Sequence, residues 1–413
     1  MTQSLFIKTL LERGFIHQCT DMDGLDKKMN NEVVPAYIGF DVTADSLHIG
    51  SLLPIMMLRY LQKCGHKPIV LMGGATTRVG DPSGKDESRK ILSDDDIKKN
   101  MTGIKKIFEQ FLTFGDGKTD AVMVNNDDWL KDINYIEFLR DYGKNFSVNR
   151  MLTFDSVKLR LDRQQPLSFL EFNYMLLQAY DFMELNRKMN VGLQMGGSDQ
   201  WGNIVNGVEL SRRINNSQVY GLTVPLLTTA SGAKMGKTAD GAVWLNQERL
   251  SDFDYWQFWR NTEDADVSKF LKLFTELPMS EIAKLEKLQG AEINSSKEIL
   301  ANEATKLCRG ENASLSAQKT ANDTFSGAGL GADLPTLPKS QPELDNGLGL
   351  LSILTEFGFT DSNGDARRQI QGGAVKINDV KIQDTNYIIN NDDLVDGTIK
   401  VSVGKKKIGV IKI

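Results

Sequence analysis

Tyr37-Ile38-Gly39-Phe40-Asp41-Val42-Thr43-Ala44-Asp45-Ser46-Leu47-His48-Ile49-Gly50 is the stretch on which the reading of this chain turns. It continues the strand-like run from Val33 to Phe40 and leads into the apolar run from Leu52 to Leu61. The pattern predicts a strand, a polar loop and a helix whose start carries His48 and Gly50. A helix N-terminus leaves backbone N–H groups without partners and carries positive dipole charge, so it attracts phosphate. Gly50 lets a ligand come close to the backbone, and His48 can donate a hydrogen bond to a phosphoryl oxygen. Taken alone, His48-Ile49-Gly50 reads more simply as a surface histidine at an ordinary helix cap. The rest of the chain decides.

Outward from this stretch, Pro68-Ile69-Val70-Leu71-Met72 is a short apolar run of the kind that forms a buried parallel strand. It ends in the glycine-rich, polar segment Gly73 to Lys85. Strand, helix and strand at this spacing make a βαβ unit with a right-handed crossover. Ala121 to Asn125, Gly192 to Met195 and Leu222 to Leu227 supply further strands of the same sheet. An open α/β sheet binds ligands at the carboxyl ends of its strands, and Asp41, Gly73-Gly74, Asp81, Asn126 and Gly196-Gly197 all fall there. The expected fold is therefore α/β: a Rossmann-like parallel-sheet domain over 1–228, opening with helical residues at 1–32.

The segment from about 126 to 190 is longer than a crossover needs and holds helical stretches at 135–142 and 151–163. It is expected to be an insertion forming a dimer surface, with a lid as the other reading. Residues 229–325 read as a helical domain, with amphipathic runs at 267–273, 281–288 and 296–307. Its aromatic cluster Phe253, Tyr255, Trp256, Phe258 and Trp259 is expected to be core rather than a base-stacking platform. Residues 326–347 are Gly/Pro-rich and predict a linker. Residues 348–413 predict a small α+β module, with helices at 348–357 and 364–371 and strands at 374–377, 386–389 and 399–403.

Composition sets the broad class. At 413 residues the chain exceeds what one core organises, and 40% hydrophobic with 25% charged residues describes a globular protein. A net charge of −5 argues against a uniformly basic nucleic-acid coat but leaves room for a local basic patch. Cys19, Cys64 and Cys308 are widely spaced, as are His17, His48 and His66, so neither a disulfide framework nor a metal site is expected. No apolar run approaches the ~18 residues of a membrane span, and the start of the chain carries no basic-then-apolar signal. A soluble cytoplasmic enzyme is the expectation.

A second loop changes the weight of the first. Lys234-Met235-Gly236-Lys237-Thr238 follows the 222–227 strand, and two lysines three apart in a glycine loop can close over a polyphosphate and neutralise a leaving group. His48-Ile49-Gly50 and Lys234-Met235-Gly236-Lys237-Thr238 resemble the HIGH and KMSKS signatures of class I aminoacyl-tRNA synthetases. Between them, Tyr37-Ile38-Gly39-Phe40-Asp41, Gly80-Asp81-Pro82-Ser83-Gly84, Tyr174 with Gln178-Ala179-Tyr180-Asp181, and Gly196-Gly197-Ser198-Asp199-Gln200-Trp201-Gly202-Asn203 resemble bacterial-type tyrosyl-tRNA synthetases. Ala366-Arg367-Arg368 with Gly372 to Asn378 resembles the S4 RNA-binding domain that ends that family. The resemblance runs essentially the length of the chain. Two departures stand out: Ser51 replaces the commoner histidine of the first signature, and Pro54 lies close to the helix start, where its missing N–H costs little only if the helix begins near Gly50.

What the resemblance implies is a tyrosine--tRNA ligase. Tyr37 and Asp181 would bind the phenolic hydroxyl of L-tyrosine; Asp81, Tyr174 and Gln178 would hold its ammonium; Gln200 would contact its carboxylate. Asp41, Gly197 and Asp199 would face adenosine, Ser51 could donate to its ribose, and Gly50 would bind ATP at the helix start. Thr43 and His48, with Lys85, Arg89, Lys234, Lys237 and Thr238, would hold the phosphates of ATP, with Mg2+ arriving on ATP and no protein-bound metal. Arg367, Arg368 and Lys376 would bind tRNA(Tyr), with Lys405-Lys406-Lys407 either joining them or forming a solvated face. The family also implies a homodimer. The rival readings are a tryptophanyl-type synthetase, against which Tyr37 with Asp181 argues, and a non-catalytic RNA-binding paralogue, against which His48, Lys234 and Lys237 argue. Independently of resemblance, Tyr174, Gln178 and Asp181 at i, i+4 and i+7 share one helix face, where buried polar groups need polar partners.

Overall fold

The computed structural model describes residues 3–83, 92–230, 232, 235–238, 241–326, 334–395, 397–404 and 407–413, without the side chains of 237, 238, 241 and 324–326. Lys85, Arg89, Lys234, Lys405 and Lys406 therefore lie outside the described residues. The chain separates into two compact units, one of residues 1–250 with 258–310 and the other of residues 251–257 with 311–413.

The first unit is organised on a six-stranded sheet of β1 (Gln18–Cys19), β2 (Pro35–Phe40), β3 (Lys67–Met72), β4 (Val122–Asn125), β5 (Leu193–Gly197) and β6 (Tyr220–Val224), in the order β1-β6-β5-β2-β3-β4. All neighbours run parallel except the edge strand β1, which is antiparallel to β6. The strands read as apolar because both faces are covered; β3 is buried from Pro68 to Met72. The βαβ unit expected around the opening stretch is β2, the helix Leu52–Lys63 and β3. That helix buries Leu53, Ile55, Met56, Met57 and Leu58, and packs on β2 and β3. Pro54 sits in its first turn, where no intrahelical acceptor waits for an N–H.

The helix Phe169–Met189 carries Tyr174, Gln178 and Asp181. Ser168 caps it reciprocally with Glu171, and Asn190 ends it in the left-handed conformation at φ 53°. Before it, the 126–190 segment is a run of short helices, including Tyr135–Asp141 and Asp155–Asp162, packed around Phe138, Met151 and Val157.

The helices Asp264–Phe274, Met279–Leu285 and Ile293–Arg309 belong to the same unit as the sheet. Polar ties explain this: the Arg13 guanidinium donates to the carbonyls of Lys272 and Thr275, both at 2.9 Å, and Arg59 pairs with Glu276 at 2.7 Å. Trp259 is fully buried, with the rings of Phe270 and Phe274 centred 6.1 and 5.0 Å away, so this part of the aromatic cluster is core. After β6, a short hairpin of β7 (Lys237–Thr238) and β8 (Gly241–Ala242) carries the second signature.

In the second unit, β9 (Thr336–Pro338), β11 (Val375–Ile377), β12 (Val380–Lys381), β14 (Thr398–Val403) and β15 (Lys407–Lys412) form a sheet in the order β12-β11-β14-β15-β9, and β10 (Leu348–Gly349) pairs with β13 (Ile388–Ile389). The helices Leu350–Glu356 and Asn363–Gln371 contribute Leu354, Ala366 and Ile370 to its core. One element departs from expectation. The stretch read as linker supplies β9 and the helix Gln341–Asp345, because β9 pairs in parallel with β15, a long-range contact that glycine and proline content does not announce.

Candidate active site

The carboxyl ends of β2, β3, β5 and β6 open on a cleft of about 410 Å3 lined by Tyr37, Asp41, Thr43, His48, Gly50, Ser51, Asp81, Tyr174, Gln178, Asp181, Gly197, Asp199 and Gln200. Every expected small-substrate residue among those described with a side chain is therefore in one place. The cleft has two ends of different construction.

At the inner end, Tyr37 projects from β2 fully buried, its ring edge-on to Phe182 at 5.4 Å. Its hydroxyl finds no hydrogen-bond partner among the described residues, and burial, with the nearby Asp181 charge, pushes its pKa well above the usual phenol value. Asp181 is also buried. It accepts from Trp129 Nε1 at 2.7 Å and Asn126 Nδ2 at 3.0 Å. Burial raises its pKa to about 7; those two donors work against the shift, and the charges of Asp41 and Glu184 add to it. A buried phenol without a partner beside a carboxylate held by two donors is a site prepared for one more hydroxyl.

The neighbouring polar side chains are bonded in two clusters, one around Asp41 and one around Gln200. Tyr174 Oη and Thr76 Oγ1 donate to Asp41 Oδ1 at 3.2 and 3.1 Å. Gln200 Nε2 donates to Asp81 Oδ2 at 2.8 Å, and Asn203 Nδ2 donates to Gln178 at 3.0 Å and Gln200 at 3.2 Å. Asp41, expected on the adenosine side, is thus bonded to the tyrosine-side residue Tyr174. Gln200, expected at a carboxylate, is bonded to the expected ammonium ligand Asp81.

At the outer end, Thr43 and His48 are exposed. A 3-10 turn, Ile49–Ser51, precedes the long helix. The Gly50 N–H donates to His48 Nδ1 at 3.0 Å, so this amide, expected to face phosphate, serves the loop's own fold. With Nδ1 accepting, a neutral His48 ring carries its proton on Nε2. The second signature lies directly against this turn. Gly236 has φ +104°, and a Cβ there would stand 3.0 Å from Gly50 N and 3.3 Å from His48 Nδ1, so only glycine allows the approach. Beyond it, Ile49 N–H donates to the Val243 carbonyl and Leu245 N–H to the Leu47 carbonyl, both at 2.9 Å, bracketing a bridge between His48 and Trp244. Lys237 and Thr238 are placed by backbone alone.

Sequence reasoning assigned no role to Trp129, Thr76, Asn203, Trp244 or Gln194. Trp129 and Asn126 follow β4, so their position beyond a strand end was a usable signal. Gln194 is a polar residue inside a buried strand, and its Oε1 has no partner among the described residues. Among the described residues no group of three or more His, Cys, Asp or Glu side chains is set to hold a metal ion. In the second unit, Arg367, Arg368 and Lys376 are exposed. Arg368 pairs with Asp365 at 3.2 Å, and Lys376 lies opposite Lys381 across β11 and β12. Like charges directly opposed on a ladder repel unless an anion joins them.

Residues 29–326 match the family of class I tRNA synthetases (W and Y), and residues 332–411 match the C-terminal domain of tyrosine--tRNA ligases. The chain is 60% identical over 410 residues to a tyrosine--tRNA ligase of Caulobacter sp. (strain K31), covering 99% of this chain and 98% of that one. It is 58% identical over 411 residues to the tyrosine--tRNA ligase of Rhodospirillum rubrum, covering 100% and 98%. Among solved structures, the C-terminally truncated mitochondrial tyrosyl-tRNA synthetase of Aspergillus nidulans superimposes with a TM-score of 0.70 at 32% identity, over 78% of this chain and 94% of that one. Matched over almost its whole length by relatives of one kind, the chain belongs to the tyrosine--tRNA ligase family of class I tRNA synthetases.

Proposed function

We propose that this chain activates L-tyrosine with ATP and transfers it to the 3' end of tRNA(Tyr). The observation that carries the reading is the inner end of the cleft: Tyr37 Oη without a partner among the described residues, beside an Asp181 carboxylate fixed by Trp129 and Asn126. The substrate's phenol would donate to Asp181 and accept from Tyr37. Asp81, Tyr174 and Gln178 would receive its ammonium, with Gln200 orienting the carboxylate and Asp41 holding Tyr174 in place.

Activation needs no general base. The tyrosine carboxylate is ionised at neutral pH; one of its oxygens attacks the α-phosphorus in line, the bond from that phosphorus to the β-phosphate bridging oxygen breaks, and pyrophosphate leaves. Gly197 and Asp199 would bind adenosine, with Ser51 donating to its ribose. Thr43 and His48 would meet the phosphates from one side and Lys85, Arg89, Lys234, Lys237 and Thr238 from the other, with Mg2+ carried in on ATP. In the second step a terminal ribose hydroxyl of tRNA attacks the adenylate carbonyl carbon, the bond from that carbon to the phosphate oxygen breaks, and AMP departs with the hydroxyl's proton passing to its phosphate. Arg367, Arg368 and Lys376 would grip the RNA backbone, joining opposed charges to phosphate.

The 126–190 segment would form a homodimer surface. Ile136, Val148 and Phe169 expose 70, 57 and 69% of their surface there, more apolar area than a lone surface keeps without reason. Among the described residues no helix is long and apolar enough to cross a membrane; the cytoplasm is the compartment proposed for the activity.

The test is ATP–pyrophosphate exchange across the amino acids, followed by charging of tRNA(Tyr). Exchange with tyrosine alone is expected. Exchange with tryptophan would replace the substrate, and none with any amino acid would leave a non-catalytic RNA-binding protein.

A further inference from the structure

The chain that follows the second signature returns to the first and is fastened to it by side chains as well as by backbone. Asn246 donates from its main-chain N–H to Ser46 Oγ at 3.2 Å and from Nδ2 to the Asp45 carbonyl at 3.1 Å. Arg249 Nε pairs with Asp45 Oδ1, and the same guanidinium lies over the ring of Trp244, 4.7 Å from its centre. Trp244 lines the cleft and bridges His48; Asp45, Asn246 and Arg249 do not line it. The Asp45 loop is itself held from another element: buried Asn100 Nδ2 donates to the Val42 carbonyl at 2.8 Å. The loop is thus a fixed post, and the 243–249 arm is tied to it.

We propose that Arg249, with Asp45 and Asn246, is a positioning latch that registers the lysine loop on the His48 loop. The proposal rests on reading the cleft as the site where the adenylate forms. The connection runs through the hairpin. Lys237 pairs with Ala242, and the Val243 N–H donates to the Gly236 carbonyl at 3.3 Å, so a shift at 243–244 moves the backbone that carries Lys237. In-line transfer tolerates little misplacement; about 1 Å of it lowers the rate roughly 100-fold. Arginine suits the role because its flat guanidinium can accept an ion pair at its edge and a ring against its face, whereas a lysine ammonium cannot do both.

The experiment uses the full chain with Arg249→Met, Arg249→Lys and Asn246→Ala. Two measurements are made: amide hydrogen exchange at Ile49 and Leu245, and steady-state ATP–pyrophosphate exchange with tyrosine. In Arg249→Met, the Ile49 and Leu245 amides are expected to exchange about five- to tenfold faster while those of β3 keep wild-type rates. The maximal exchange rate should fall by a similar factor and the KM for ATP rise, with the KM for tyrosine within about twofold of wild type. Arg249→Lys should recover only part of both effects, and Asp45→Asn added to Arg249→Met should change little more. Unchanged amide protection in both Arg249→Met and Asn246→Ala would overturn the latch, as would a tyrosine KM that moves in step with the rate. A wild-type chain with no exchange activity would defeat the functional reading instead, and amide exchange would still decide whether the latch exists.

Discussion

At the inner end of the cleft, Tyr37 and Asp181 are buried and the groups around them are bonded to one another; at the outer end, Thr43 and His48 are exposed and the two signature loops meet through backbone. The inner end holds its polar atoms in a low-dielectric place, where a misplaced partner is costly and a correct one well rewarded. That is the construction of a recognition site. The outer end leaves side chains in water and secures only their supports, which suits a polyphosphate that must enter, change charge and leave as pyrophosphate. Substitutions at the two ends should consequently be felt in different kinetic constants.

The largest separation is expected from Lys237→Ala. A charged donor aimed at developing phosphate charge contributes about 3 kcal/mol to a transition state, roughly 100-fold or more in rate. Single-turnover adenylate formation should fall by that factor while tyrosine affinity, measured by equilibrium dialysis, stays near wild type. A matching loss of tyrosine affinity would show that the two ends are not separable. The mirror experiment, Asp181→Ala, removes the carboxylate proposed to hold the phenol and leaves the Trp129 and Asn126 donors without that acceptor. A hydrogen bond to a charged group contributes about 1.5–3 kcal/mol, so tyrosine affinity should drop roughly 10- to 150-fold. The KM for ATP should hardly move.

The pH dependence sharpens the same contrast. Burial raises the Asp181 pKa to about 7, so in the free protein the ionised acceptor dominates only above that value. Below it the carboxyl is protonated, and kcat/KM for tyrosine should fall towards tenfold per pH unit as the pH drops. Asp181→Asn should flatten that limb of the profile as it lowers its height. A wild-type profile with no inflection near neutrality would mean that the phenol is not read by an ionised Asp181.

Much of this was legible before any coordinates. Short continuous apolar runs ending in Asp, Gly or Asn pointed to the sheet and the strand ends that line the cleft, and the i, i+4, i+7 spacing of Tyr174, Gln178 and Asp181 put them on one face. What stayed hidden depends on contacts distant in sequence. Nothing near Trp129 says that its indole N–H reaches Asp181, 52 residues on. The Gly50 amide is a local exception: His48, only two residues before it, takes the N–H that a bare helix start would offer to phosphate. Strand β9 was lost in glycine- and proline-rich sequence because its pairing partner β15 lies at the far end of the module, and the lysine run beside β15 drew attention to charge rather than to Ile408, Val410 and Ile411.

The smallest predicted effect asks how far the inner end extends. Lys188 Nζ lies 5.3 Å from the centre of the Trp129 ring and 2.9 Å from Glu184 Oε1. Trp129 in turn donates to Asp181, so Lys188 stands one step behind the recognition site without touching it. Its side chain is 46% exposed, which limits what the cation can contribute. At such a site a cation over an indole ring contributes about 0.5–1 kcal/mol. Lys188→Met should therefore raise the KM for tyrosine only about two- to fivefold, leaving the KM for ATP and the maximal rate unchanged, and Lys188→Arg should restore it. The same substitution in a Trp129→Phe background should have no further effect, because the indole N–H through which it acts is gone. A shift in the KM for ATP instead would place Lys188 in the support of the outer end and redraw the boundary between the two.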